Sequence, residues 1–183
     1  TIQESNTTEY ANNYNSENRV VRYTSNHDVN LSDGTPLELF GGKKGSMATF
    51  VVAAYLKSIP MIYNGQEIGY DKRLNYFAKT PIDWSTADNE MLTEYKKIIA
   101  FRNTSKAIKS GEYTGYSSDA VSAFTMEKDA EKVFVLSNLT SSAVKHLIPN
   151  TLKGNWKDAF TGASVTIGSD IILQPFQYII LKN

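Results

Sequence analysis

Asn26-His27-Asp28 places an amide, an imidazole and a carboxylate on three successive residues, and Asn64-Gly65-Gln66-Glu67 gathers two amides and a second carboxylate. A fixed carboxylate stabilises positive charge that develops in a transition state. An imidazole N–H beside it is a directional donor. Composition excludes several other chemistries. With Cys 0 there is no thiolate nucleophile, disulfide framework or zinc ribbon. With His 2 there is no multi-histidine metal site. Lys+Arg 19 balance Asp+Glu 19, so the basic excess that a phosphate backbone demands is missing.

Each cluster must be positioned by the element before it. Residues 19–25 (RVVRYTS) are short, β-branched and aromatic, which predicts a strand running straight into Asn26. Residues 59–63 (IPMIY) predict a second short strand running into Asn64. Gly34, Pro36, Gly41 and Gly42 mark residues 29–44 as a long loop. Residues 45–58 then follow a helical period, with Met47, Phe50, Val51, Ala54 and Tyr55 on one face. A second helix is expected over about 88–105, its face formed by Met91, Leu92, Tyr95, Ile98, Ile99 and Arg102. Residues 65–87 between them read as loop.

Strand–helix alternation of this kind implies parallel strands with crossover helices, whose C-terminal strand ends collect active-site residues. From about residue 107 the texture changes to short apolar segments bounded by Gly, Asn, Asp or Ser, at 120–126, 132–138, 143–148, 156–160, 163–167 and 171–181. That spacing predicts an antiparallel sandwich or small barrel. The expected organisation is a polar lead-in over 1–18 with Tyr10 and Tyr14 as anchors, an α/β unit over 19–106 and an all-β unit over 107–183. The 183 residues, 41% hydrophobic and 21% charged, are globular in composition. No apolar run reaches the ~18 residues of a membrane span. The chain opens on Thr1 rather than Met, which suggests a processed or cut chain.

Asn26-His27-Asp28 after an apolar strand resembles the fourth signature region of the α-amylase family of glycoside hydrolases. Ile59-Pro60-Met61-Ile62-Tyr63-Asn64-Gly65-Gln66-Glu67-Ile68-Gly69 resembles that family's eighth-strand segment. Ile98-Ile99-Ala100-Phe101-Arg102 is similar to its last barrel helix, Gly111-Glu112-Tyr113 to the turn after it, and residues 173–182 to the last strand of its C-terminal domain. The resemblance runs from about residue 19 onward. It implies strands 7 and 8 of a (β/α)8 barrel with their helices, followed by an antiparallel β-sandwich. Two βα units do not close a barrel.

The resemblance further implies retaining cleavage or transfer of α-glucosidic bonds, which needs two carboxyl groups about 5–5.5 Å apart as nucleophile and acid/base. In the family those stand on strands that this chain lacks, so the expectation is a C-terminal portion inactive by itself. Asp28 corresponds to the transition-state stabiliser and His27 to a residue gripping sugar hydroxyls. Asn26 joins them as a substrate-binding candidate that also supports the turn. Tyr70 and Trp84 are the aromatic candidates for sugar contact, while Tyr63, Tyr76 and Phe77 are read as packing between loops. Glu67, Gln66 and Asn64 are read as fixing a loop by hydrogen bonds, and Gly65 as serving backbone geometry.

No cofactor is expected in this chain, and calcium is left to the parent enzyme. Asp33, Asp71 and Asp83 are scattered and read as turn residues. The implied partner is an α-glucan, with neither nucleic acid nor a membrane span, and an open barrel edge invites self-association. Localisation stays open, secreted or cell-envelope being favoured over cytoplasmic. The competing reading is a non-catalytic carbohydrate-binding or interaction module of the same fold family. Preference for α-1,4 or α-1,6 bonds, and for hydrolysis or transfer, is not legible.

Overall fold

A computed structural model describes residues 20–183 of the protein. The expected lead-in with Tyr10 and Tyr14, and Arg19 of the first strand, lie outside the described residues.

Strands β1 (Val20–Arg22) and β2 (Ser58–Pro60) form a parallel pair, with Val20 opposite Ser58 and Arg22 opposite Pro60. Both are shorter than the apolar runs that announce them, because only two strands pair here and the ladder ends with the register. The stretch 29–44 is not a loop. It holds helices α1 (His27–Ser32) and α2 (Pro36–Leu39) and the first turn of α3 (Gly42–Tyr55). Thr35 and Glu38 form a capping box around α2, with Pro36 at its first turn. That Thr-Pro-Leu-Glu signature stands in the sequence, and the surrounding glycines mask it.

Helix α3 is buried on every side from Gly45 to Tyr55 except at Thr49. A one-sided apolar stripe describes a helix lying on a single surface. This one is enclosed by α2, by α4 (Asn89–Thr104), by the parallel pair and by the large antiparallel sheet, so its small residues count as much as its large ones. The Ala48 carbonyl accepts the Ser137 hydroxyl of that sheet at 2.9 Å. The helix stops three residues before the expected end, because Leu56 caps it and Lys57 turns left-handed (φ 45). The side chain of Ser58 then bonds back to the Ala53 carbonyl as the chain enters β2.

At Gly45 a Cβ would run into the Phe40 carbonyl oxygen and press on the Phe176 ring. In an ordinary helix Gly→Ala stabilises by about 1 kcal/mol. Here Gly45→Ala should instead cost about 1–3 kcal/mol through overpacking. A chemical denaturation midpoint at or above wild type would contradict this.

Asp88 caps α4, accepting from the Glu90 and Met91 amides at 3.0 Å each, and Ser105 caps the short helix α5 (Lys106–Ser110). Beyond Gly111 come eight strands: β3 (Glu112–Gly115), β4 (Val121–Lys128), β5 (Glu131–Asn138), β6 (Val144–Leu147), β7 (Gly154–Asp158), β8 (Ser164–Ile167), β9 (Asp170–Leu173) and β10 (Tyr178–Lys182). The expected strand 171–181 is two strands, split by a turn in which the Gln177 amide bonds to the Gln174 carbonyl at 2.9 Å and Pro175 removes a donor. Strand β3, half-exposed, preceded by Gly111 and ending on Gly115, has no apolar run to announce it.

Six strands form one antiparallel sheet in the order β3-β4-β5-β10-β7-β8, and β6 pairs with β9 separately. Alternation sorts the sheet's side chains to two cores. Phe124, Met126, Val133, Val135 and Ile180 face the helices and join Phe50, Tyr95 and Ile98. Ala123, Phe134, Leu136 and Leu181 face the other way, toward Trp156, Ile167 and Leu173. The sheet is therefore covered on both faces, which explains why six of the eight residues in each of β4 and β5 are buried.

Candidate active site

Strand β1 delivers the chain through Thr24 and Ser25 to Asn26, whose extended backbone and Oδ1 cap α1 by accepting the Val29 amide at 2.8 Å. The side-chain carbonyl of Asn26 is thus committed to the turn. His27 and Asp28, the first two helical residues, point outward with side chains 58% and 66% exposed, His27 Nε2 lying 3.5 Å from Asp28 Oδ2.

The loop after β2 folds back over this turn. Leu74 N donates to the buried Asn30 Oδ1 at 2.7 Å, tying the loop to α1. Arg73 forks onto the Glu38 carboxylate at 3.2–3.3 Å and donates to the Ser32 carbonyl at 3.0 Å. The Glu38 carboxyl is held below its ordinary range, first by the Thr35 amide and then by Arg73, so this clamp is charged near neutral pH. Asn75 turns the chain by accepting the Phe77 amide at 2.9 Å.

These anchors set Tyr76 against the His-Asp pair. Its hydroxyl donates to Asp28 Oδ1 at 3.0 Å, and its ring meets His27 edge-on at 5.1 Å between centroids. The carboxylate pushes the phenol's pKa up, so Tyr76 stays a donor. On its other side Tyr76 lines a pocket of about 340 Å³ with Tyr63, Asn64, Ile82 and Trp84. Residues from both strand ends therefore converge on one surface, with Tyr76 between them.

Beneath the surface, Gln66 is the brace. Its Nε2 donates to Thr24 Oγ1 at 2.7 Å and to the Tyr95 hydroxyl at 2.8 Å, and its Oε1 accepts the Tyr63 amide at 3.3 Å. One buried amide thus ties the end of β1, the segment after β2 and α4. Burial pushes the Tyr95 phenol well above its ordinary pKa, keeping it neutral. Gly65 precedes it with φ +85, a conformation glycine supplies without strain. Glu67 is half-buried, and its Oε2, like the Ser25 hydroxyl, is enclosed without a hydrogen-bond partner among the described residues.

The structure brings Asn26, His27 and Asp28 together, and places Trp84 half-exposed on the pocket beside Tyr76. Tyr70 does not line that pocket; its hydroxyl reaches the Pro81 carbonyl at 3.3 Å and spans the loop. Tyr76 is the residue that sequence reasoning passed over as packing. Nothing local distinguishes it, since its partner Asp28 lies 48 residues away. Asp33 accepts the Ser32 hydroxyl, and Asp83 caps the turn at Trp84–Thr86. Among the described residues no three His, Cys, Asp or Glu side chains converge to hold a metal ion such as calcium. No described helix is long and apolar enough to cross a membrane.

No family model matches the chain. It is 29% identical over 160 residues to Alpha-amylase 2 of Dictyoglomus thermophilum, covering 81% of this chain and 27% of that protein. An α-amylase from Lactobacillus plantarum superposes with a TM-score of 0.75 at 15% identity, over 100% of this chain and 41% of that one. An Anoxybacillus α-amylase gives 0.74 at 19% identity over 99% and 40%, and a maltogenic α-amylase from Thermotoga neapolitana 0.71 at 18% over 89% and 41%. At those identities the solved structures speak for the fold. This chain spans about a quarter of the curated relative's length and about two-fifths of these structures. The chain is thus similar in sequence to an α-amylase over most of its own length and shares its fold with these α-amylase structures.

Proposed function

We propose that this chain is the C-terminal part of a retaining α-glucan hydrolase, comprising strands 7 and 8 of its barrel with their helices and a C-terminal β-sandwich. The observation that carries the reading is the exposed Asp28 carboxylate at a strand end, oriented by the Tyr76 hydroxyl and flanked by His27. Each carboxylate oxygen offers two lone pairs. With one taken by Tyr76, Asp28 retains capacity for sugar hydroxyls. As positive charge builds on the ring, hydrogen bonds from those hydroxyls to a fixed anion strengthen, which lowers the barrier without any bond to Asp28. His27 adds a donor at the same sugar, Asn26 orients the pair, and Trp84 stands beyond it as a ring surface.

In this reading the nucleophile and acid/base reside on other strands of a longer enzyme. The parallel pair supports that. Val21 and Ile59, directly opposite in the register, are both more than half exposed, and a two-stranded pair is not stable alone. The test compares the isolated 183-residue chain with the longer enzyme on soluble starch. The expected result is cleavage by the longer enzyme only. Robust hydrolysis by the isolated chain, or none by the longer enzyme, overturns the reading.

A further inference from the structure

Phe77 is the most exposed large hydrophobic side chain among the described residues, at 81%. A scattered exposed apolar residue needs no explanation; this one differs in how it is held. Its backbone amide is bonded to Asn75 Oδ1, and the chain just before it is fastened through Leu74 to Asn30 and through Arg73 to Glu38. A ring this exposed on a tethered turn is presented at a fixed place. Its ring packs on Tyr76 at 4.3 Å between centroids, and Tyr76 packs on His27 at 5.1 Å. Three rings therefore step outward from the carboxylate: His27, Tyr76, Phe77.

We propose that Phe77 forms an outer subsite, stacking on a sugar ring farther along an α-glucan chain whose reacting sugar lies at His27 and Asp28. The proposal rests on the reading of that pair as the sugar-gripping residues. The chemistry fits a neutral carbohydrate. The apolar face of a pyranose covers such a ring at low ordering cost. The substrate implied is an oligosaccharide long enough to reach past the reacting sugar, not a disaccharide held in a closed pocket.

The test is steady-state kinetics of the longer enzyme on maltotriose and maltoheptaose, for wild type and for Phe77→Ala, Phe77→Trp and Asp28→Asn. Loss of one stacking contact should raise KM for maltoheptaose about fivefold in Phe77→Ala. KM for maltotriose should rise less, and Phe77→Trp should restore the preference for the longer sugar. If Phe77→Ala leaves both KM values at wild type while Asp28→Asn loses turnover, the outer subsite falls and the inner pair stands. An equal rise for both sugars places the ring at the first sugar and also overturns the subsite. If Asp28→Asn retains full turnover, the inner reading falls and takes the subsite with it.

Discussion

Asp28→Asn is expected to lower kcat of the longer enzyme by about 10²–10³-fold, the range seen when one electrostatic contact to a developing charge is lost. The substitution keeps shape and size and removes the charge. The Tyr76 hydroxyl still finds an oxygen acceptor on the amide, so the loop stays where Asn30 and Glu38 pin it. What disappears is an anion whose hydrogen bonds strengthen as the sugar becomes positive. An effect confined to the transition state reduces kcat and kcat/KM together. Because the side chain is 66% exposed, the melting temperature should not move with the rate. A kcat within a few-fold of wild type would remove Asp28 from the chemistry. A large fall in melting temperature would instead assign it a structural role.

Phe124→Ala carries the largest expected stability effect, about 3–5 kcal/mol, as deletion of a fully enclosed aromatic ring leaves a cavity that surrounding groups fill only in part. For a chain of this size that corresponds to a fall of about 10 °C in melting temperature. Phe124 stands on β4, is fully buried, and belongs to the core that includes Phe50, Tyr95 and Ile98 of the helices. It also meets Tyr113 of β3 at 5.7 Å. The expected melt is a single transition, shifted whole, for helices and sheet alike. Two separated transitions, with only the strand signal moved, would show that the α/β and all-β segments have independent cores.

That shared core qualifies the change of texture near residue 107. Composition marks a change in local structure there, and helix α5 does give way to β3 at Gly111. Texture says nothing about what the new elements pack against. Half of the large sheet's apolar side chains face α3, α4 and α5, so a boundary in sequence runs through the middle of a packed layer.

Local patterns were enough for much of this molecule. The apolar runs at 120–126 and 132–138 and the 3.6-residue period over α3 and α4 depend on neighbours within a turn or two, so they stand in the sequence. The same holds for the chemistry gathered at two strand ends, because a short apolar run followed at once by Asn-His-Asp or Asn-Gly-Gln-Glu is a local feature. The register of β1 on β2, the burial of α3 on all sides, the Gln66 amide between Thr24 and Tyr95, and the Tyr76 hydroxyl on Asp28 were decided by the tertiary structure. Each joins residues far apart in the chain, and each exists because intervening segments are closed and fastened by other contacts, such as Arg73 on Glu38. Period and spacing encode which face a residue presents. They do not encode which distant face it meets, since that follows from how loops close and how the packed layers fill space.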